Sequence, residues 1–315
     1  MDEAELGSRT GGLWTTADAR DAGLSRAHVR GRLARGEWQA VRRGVLTDGG
    51  VVLGPQGRGW TAVLAVGGPR RAAAAGRTAA RLHGLPLIDD ADPLLRPTAR
   101  QGRHDDVVSR RPLQDRDDLH PTQAPLVRSD LVVPGGGPIA LSPLWTLVDL
   151  ARLLSHEALV CALDDALRRG LVTAAQLDEV VQQRSGRRDV EALRRAVAAA
   201  DGRAESPLET LSRLLLLPAL PDLVPQVVVL DRTGRVVARL DLADEQRRFA
   251  VEADGARWHG GGAALAADRR RERRLEPYGW AVERVTWADV RRDGVQTRDR
   301  VVRAARRSTA TSLEG

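Results

Sequence analysis

Two segments of sequence determine the fold that we predict for the C-terminal part of the chain. They are Arg235-Val-Val-Ala-Arg-Leu-Asp241 and Arg248-Phe-Ala-Val-Glu252-Ala-Asp254-Gly255. Apolar and polar residues alternate in both segments, which predicts two β-strands with one face in a core. Glu252 and Asp254 are two residues apart and therefore share a face. We expect Asp241 to lie across the sheet from them, so the sequence predicts acidic groups on neighbouring strands.

Converging carboxylates repel each other unless a cation offsets their charge. Oxygen ligands with room for water and phosphate suit Mg²⁺, which would polarise a scissile phosphate and help to activate water. We therefore predict that Asp241 and Glu252 bind Mg²⁺, with Asp254 beside them. The alternative is that the acids form ion pairs with neighbouring arginines.

The helix before these strands carries a further candidate acid. Ser206-Pro-Leu-Glu209 has the spacing of a capping box, with Ser206 as N-cap, and it opens a helix that we predict to end at Leu217. Glu209 therefore has a structural role available at the helix start. The sequence leaves open whether its carboxylate also faces the acidic site.

The segment after the strands supplies two more candidates. His259 follows Gly255 and could transfer a proton near neutral pH, although a solvated loop histidine is the alternative. In the predicted helix 263–276, Arg271 shares a side with Asp268 and Leu275 and could clamp a phosphate with two hydrogen bonds.

Several short motifs together resemble the nuclease domain of very-short-patch-repair endonucleases, within the PD-(D/E)xK superfamily. They are Leu208-Glu209, Arg239-Leu-Asp241, Val251-Glu-Ala-Asp254-Gly255, His259, Asp268, Arg271, Leu275 and Gly279-Trp280. The resemblance covers residues 203–292 and implies a mixed sheet flanked by helices. It also implies Asp241 and Glu252 as metal ligands, Glu209 as a helix-borne acid and His259 as a catalytic residue.

The chain departs from that pattern at one position. Asp254 stands where the superfamily has lysine, and the chain contains no lysine, so a catalytic lysine is excluded. Mismatch-nicking relatives also lack this lysine and use histidines. Their structural zinc needs more than the single Cys161, so mismatch recognition is not carried over.

The N-terminal segment predicts a winged helix-turn-helix. Helices at 17–22 and 26–35 flank a Gly23-Leu24 turn, and short strands follow at 38–42 and 44–46. It resembles the winged-helix antitoxin domain of abortive-infection type IV toxin–antitoxin families, at Gly12–Thr16, Ala22–Leu24 and Arg42–Leu46.

This segment also supplies the predicted DNA contacts. An arginine-rich second helix can enter the major groove while the wing follows phosphates. The alternative is a packing module with a solvated basic face. The predicted contacts are Arg26, Arg30 and Arg32 on the helix and Arg42 and Arg43 on the wing.

The composition favours an anionic partner. The net charge is +7 and the pI is about 11.0, which indicates DNA before a membrane because both charge signs are interspersed. The exclusive use of arginine also fits GC-rich coding. The start of the chain has no secretory signal, and no apolar run is long enough to span a membrane, so we expect a cytoplasmic protein.

The fold class that we predict is α/β (α+β, multidomain). Its parts are a winged helix-turn-helix (1–50), a mixed connecting domain (51–201), a nuclease-like domain (202–308) and a tail (309–315). Helices are predicted in the connecting domain at 72–82, 158–169 and 174–184, and another begins at Ser142.

Three functions are compatible with these patterns. The first is a Mg²⁺-dependent DNA endonuclease with a winged-helix front end. The second is a non-catalytic DNA-binding regulator, antitoxin-like, with a degenerate nuclease fold. The third, a protein-interaction scaffold, explains the clustered acids poorly. The patterns assign neither a target sequence nor an oligomeric state.

Overall fold

The computed structural model describes residues 5–88, 104–114, 118–186, 190–255 and 275–313, with side chains as far as residue 308. Those residues form eleven α-helices and three β-sheets, which confirms the mixed α/β class. Contacts divide the chain into two compact units. One comprises Met1–Ala162 with Leu171–Arg195, and the other Leu163–Gly170 with Ala196–Gly315. In the described part of the chain, no helix combines the length and the apolar character needed to cross a membrane.

The first unit begins with a three-stranded antiparallel sheet and two helices. In the sheet the strand order is β1-β3-β2. The elements are β1 (Leu13–Thr15), α1 (Thr16–Asp21), α2 (Arg26–Ala34), β2 (Trp38–Arg42) and β3 (Val45–Asp48).

Helix α2 lies on the surface of this small core. Its N-cap is Ser25, whose side chain accepts a hydrogen bond from the third helical residue. No residue of α2 is fully buried, and only Val29 and Leu33 pack against the core. That core centres on Trp14 and Trp38, whose rings meet edge-to-face at 5.1 Å. Arg26, Ala27, Arg30 and Ala34 of this helix are exposed to solvent.

A five-stranded sheet follows in the same unit, with strand order β6-β5-β4-β8-β7. Its strands are β4 (Ala72–Ala74), β5 (Asp105–Ser109), β6 (Leu119–Gln123), β7 (Leu131–Val132) and β8 (Ala140–Leu141). The next helices are α3 (Pro55–Ala65), α4 (Gly76–His83), α5 (Pro143–Leu150), α6 (His156–Arg168), α7 (Ala174–Gln183) and α8 (Val190–Ala199).

The prediction of one helix over 72–82 was wrong in its first half. Ala72–Ala74 is a buried strand paired with β5, and the helix begins only at Gly76. Two carboxylates fix that start, because Asp149 accepts a hydrogen bond from Gly76 N at 3.0 Å and Asp106 accepts one from Arg77 N at 2.8 Å. These contacts come from distant positions in the chain, and they outweigh the helix propensity of alanine.

The second unit contains a four-stranded mixed sheet. Its strand order is β12-β11-β10-β9, and only β11 and β12 are parallel. The strands are β9 (Val224–Leu230), β10 (Val236–Asp244), β11 (Phe249–Asp254) and β12 (Ala281–Thr286). The helices are α9 (Pro207–Leu216), α10 (Trp287–Arg291) and α11 (Gly294–Leu313). The buried core includes Leu216, Leu242, Phe249, Val251 and Val301.

Asp106 gives the first unit a pH-dependent stability. Burial raises the pKa of Asp106 to about 6, against the hydrogen bond from Arg77 N, and the nearby Asp149 charge acts in the same direction as burial. The folded state therefore binds the proton more tightly than the unfolded chain. This contribution is complete below a pH of about 3.8 and is lost as the pH rises through about 6.

We expect Asp106→Asn, which keeps the acceptor but cannot ionise, to remove this dependence. Relative to the variant, wild type should lose up to about 3 kcal/mol of unfolding free energy as the pH rises from about 4 to 7. Denaturant unfolding of both proteins across this range measures the difference. A difference that does not change with pH would contradict the assignment.

Candidate functional site

The antiparallel pairing of β10 with β11 ends one residue before two predicted acids. Leu242 pairs with Val251, and the next two pairs continue the antiparallel register. Extending the pairing by one residue puts Asp241 opposite Glu252. Residues directly opposite on antiparallel strands have Cβ atoms about 4.5–5.5 Å apart and share a face of the sheet. A register that continues by one residue would therefore bring the two carboxylates to neighbouring positions.

The backbone of β11 holds one of these acids in place. Asp241 Oδ2 accepts a hydrogen bond from Ala253 N at 2.9 Å. Glu252 is buried, with 8% of its surface exposed. Asp254, two residues further along the strand, is half-buried, and the exposed Gly255 follows it. By strand alternation Asp254 has the same facing as Glu252.

Ser206 caps α9 as predicted, and Glu209 contacts both the start of that helix and the sheet. Ser206 Oγ donates a hydrogen bond to Glu209 Oε1, and Ser206 Oγ in turn accepts one from the backbone N–H of Glu209. Its Oε2 accepts from Glu205 N and from Gln226 Nε2, both at 2.8 Å. The side chain is buried, with 8% exposed. One carboxylate therefore contacts both the helix start and the sheet.

Gln226 is a site residue that the sequence analysis missed. In β9 it lies between two residues whose partners in β10 are Leu240 and Leu242, and so it falls opposite Asp241. A signal was present in the sequence, because Gln226 is the only polar residue in the strand Val224–Leu230. Gln226, Asp241 and Glu252 thus occupy successive positions across β9, β10 and β11. We call these three residues and Glu209 the acidic row.

A buried ionic network anchors the helix that carries Glu209. Asp164 Oδ2 accepts hydrogen bonds from Thr210 Oγ1 at 2.8 Å and from Arg213 Nη2 at 2.9 Å. The side chains of Asp164 and Arg213 are 2% and 6% exposed. Burial raises the pKa of Asp164, although Arg213 and the hydrogen bonds oppose that shift. Arg213 also donates to Ala199 O at 2.7 Å, so α9 is held from two sides.

Two arginines, Arg284 and Arg239, lie on the same sheet as the acidic row. Arg284 of β12 pairs in register with Glu252, which is the arrangement that the ion-pair alternative requires. Arg239 forms an ion pair with Glu205 at 2.5 Å. Within the described ranges, no three or more His, Cys, Asp and Glu side chains are grouped to hold a metal ion. Carboxylates from the acidic row would therefore need other oxygen donors to complete a cation site.

Three of the predicted DNA contacts lie exposed on the first unit. Arg26 and Arg30 are exposed on α2, and Arg43 is exposed between β2 and β3. Arg32 is held more tightly, because it donates to Glu37 at 2.7 Å and lies 5.6 Å from the centre of the Trp38 ring.

Arg42 is placed differently from the prediction. Its guanidinium forms ion pairs with Asp105 at 2.7 Å and Asp118 at 3.0 Å, and only 9% of its side chain is exposed. A buried guanidinium neutralised by two carboxylates has no surface for a phosphate. Arg42 instead ties the first sheet to the five-stranded sheet, and we correct its predicted role accordingly.

Two predicted site residues, His259 and Arg271, lie outside the described residues, as does Asp268. Their roles remain predictions from sequence. The described part of the site therefore consists of the acidic row and Asp254.

Comparison with known proteins identifies relatives without a described activity. No family model matches the chain. Two curated proteins of Mycobacterium tuberculosis, uncharacterized protein MT2308 of strain CDC 1551 and uncharacterized protein Rv2248 of strain H37Rv, are each 32% identical over 170 residues. The alignment covers 53% of this chain and 62% of each relative. The chain thus spans less than two thirds of the relatives that it matches.

The buried network predicts unequal effects for two arginines of the second unit. We expect Arg213→Ala to destabilise the unit by about 3–5 kcal/mol, because it leaves Asp164 buried without its counter-charge. Arg168→Ala is the matched control. Arg168 forms an exposed ion pair with Asp165, and its loss should cost less than about 1 kcal/mol. Denaturant unfolding followed by circular dichroism compares them, and equal losses would contradict the role of the network.

Proposed function

We propose that the protein is a divalent-metal-dependent DNA endonuclease that hydrolyses phosphodiester bonds. The observation that carries this proposal is the hydrogen bond from Ala253 N to Asp241 Oδ2 at 2.9 Å, which holds the Asp241 carboxylate against β11 next to Glu252. Carboxylates that converge on one site, one of them buried, favour a divalent cation that offsets their charge. Their surroundings also contain the buried Glu209 and the half-buried Asp254.

The donor set fits Mg²⁺. All candidate ligands are oxygens, and Mg²⁺ in nucleic-acid enzymes is held by one or two carboxylates together with waters and substrate phosphate. Asp241 and Glu252 would hold the ion. When bound, it would polarise the scissile phosphate and lower the pKa of a water molecule.

The remaining residues have supporting roles in this proposal. Asp254 and Glu209 would orient ligands and water by accepting hydrogen bonds. His259 is the proposed group for proton transfer, and Arg271 the proposed group for binding the phosphate that gains charge during attack. These two assignments rest on the sequence.

DNA would be delivered by the N-terminal module, which we propose to be a winged helix. Helix α2 buries no residue fully and presents Arg26 and Arg30 to solvent. Arg43 extends the basic surface at the turn between β2 and β3. The formal net charge of +7 favours a polyanionic partner. Arg42 is left out of this surface because it is neutralised by Asp105 and Asp118.

A second candidate function is a DNA-binding regulator without turnover. The observation that favours it is the pairing of Arg284 with Glu252 across β11 and β12, together with Asp254 in place of a lysine. In that case the positive charge of Arg284 would offset the negative charge of the acids, and the nuclease-like fold would serve only to bind DNA.

Plasmid nicking separates the two functions. We expect the full chain to nick DNA in Mg²⁺ and to lose at least about a hundredfold in rate, or about 2.7 kcal/mol of transition-state stabilisation, in Asp241→Asn and in Glu252→Gln. Asp299→Asn, an exposed acid on α11, is the control and should retain the wild-type rate. Cleavage that survives both site substitutions would refute the enzyme, whereas DNA binding without any cleavage would support the regulator.

DNA binding should depend on the exposed arginines of the first unit. Replacing Arg26, Arg30 and Arg43 together by alanine should weaken binding and make the slope of log affinity against log salt shallower by about 2 to 3, because three phosphate contacts are lost.

The control replaces three exposed arginines away from α2, namely Arg58, Arg128 and Arg195, and removes the same total charge. Fluorescence anisotropy at several salt concentrations measures both triple variants. Equal slopes in the two variants would show that net charge, and not the N-terminal module, determines binding.

A further inference from the structure

Gln226 has an unusual backbone conformation for its position. Among the described residues, only Gln226 and Arg248 are non-glycine residues with a positive φ, at 59° and 47°. This region is unfavourable for residues with a side chain. Arg248 precedes β11 at the end of a turn, whereas Gln226 lies inside β9, where an extended backbone is the norm. Such outliers persist only where the surrounding structure imposes them, and they concentrate at functional sites.

The side-chain amide of Gln226 spans two parts of the acidic row. Its Nε2 donates to Glu209 Oε2 at 2.8 Å, and its register position is opposite Asp241. Hydrogen bonds with Ser206 and with Glu205 N already hold Glu209 at the start of α9 without this bond. The contact therefore fixes the Glu209 carboxylate relative to the sheet.

The other end of the same amide is a buried acceptor. Gln226 Oε1 is inaccessible to solvent and accepts no hydrogen bond from the described residues. A buried amide oxygen that lacks a donor is costly, and in folded proteins such a group generally contacts an ordered water or an ion. An ionised carboxylate can only accept hydrogen bonds, so the amide atom that contacts Glu209 must be the nitrogen, Nε2. The atom without a partner is therefore the oxygen, Oε1.

We propose that Gln226 is a positioning residue of the cation site. Its N–H group holds the Glu209 carboxylate beside Asp241, and its carbonyl oxygen accepts a hydrogen bond from a water in the hydration shell of the bound cation. This inference rests on the proposed function, because it requires Asp241 and Glu252 to bind the ion.

Two variants remove the amide in different ways. Gln226→Leu keeps a side chain of similar length without polar atoms. Gln226→Gly removes the side chain and relieves the positive φ, so it should remain folded if the leucine variant does not. Arg248→Gly is the matched control, because it relieves the only other positive φ of this kind and lies outside the acidic row.

Isothermal titration calorimetry of the full chain with Mg²⁺ alone tests the proposal, and Mg²⁺-dependent thermal shifts provide a second readout. We expect both Gln226 variants to bind Mg²⁺ at least about tenfold more weakly, as is typical when a partner of a metal ligand is removed. Arg248→Gly should bind like wild type.

The outcomes separate this inference from the proposed function. If wild type binds no Mg²⁺, the proposed function fails and the inference fails with it. If wild type binds and Asp241→Asn does not, the proposed site stands. In that case, an unchanged Mg²⁺ affinity in folded Gln226→Gly would overturn the positioning role alone. If Arg248→Gly weakened Mg²⁺ binding as much as the Gln226 variants do, the effect would be assigned to backbone strain and the positioning role would be overturned.

Discussion

The register between β10 and β11 is the constraint on which the candidate site depends. A slip of one residue would move Asp241 to the other face relative to Glu252 and separate the two carboxylates. The apolar residues on the same strands prevent that slip, because Leu242, Phe249 and Val251 are buried in one core. The core therefore determines the position of the acids. The free energy gained by burying these apolar side chains offsets the repulsion between the carboxylates.

Helix α9 supplies the second fixed element. Its N-terminal turn carries Glu209, while Thr210 and Arg213 bind the buried Asp164. Replacing such a buried ion pair by apolar residues often leaves the free energy of unfolding unchanged. We therefore infer that the main contribution of the pair is to orient the helix. Here it fixes which face of α9 meets the sheet. The hydrogen bond from Gln226 to Glu209 then connects that helix to the acidic row.

The sequence was sufficient for features that depend on local patterns. Strand alternation located Asp241 and Glu252, and the spacing from Ser206 to Glu209 predicted the cap. Features that depend on distant contacts were missed. Arg42 resembled a wing arginine, but Asp105 and Asp118, far along the chain, bury it. Ala72–Ala74 has helix-favouring residues and becomes a strand because β5 pairs with it. The positive φ of Gln226 has no signature in the local sequence.

The most direct test is the position of a bound cation in a crystal of the full chain soaked in Mn²⁺, located by anomalous scattering. We expect one anomalous peak within ligand distance of both Asp241 and Glu252, with Gln226 contacting a water bound to the ion. A well-ordered site with no peak there, and with Arg284 bound to the Glu252 carboxylate, would contradict the account.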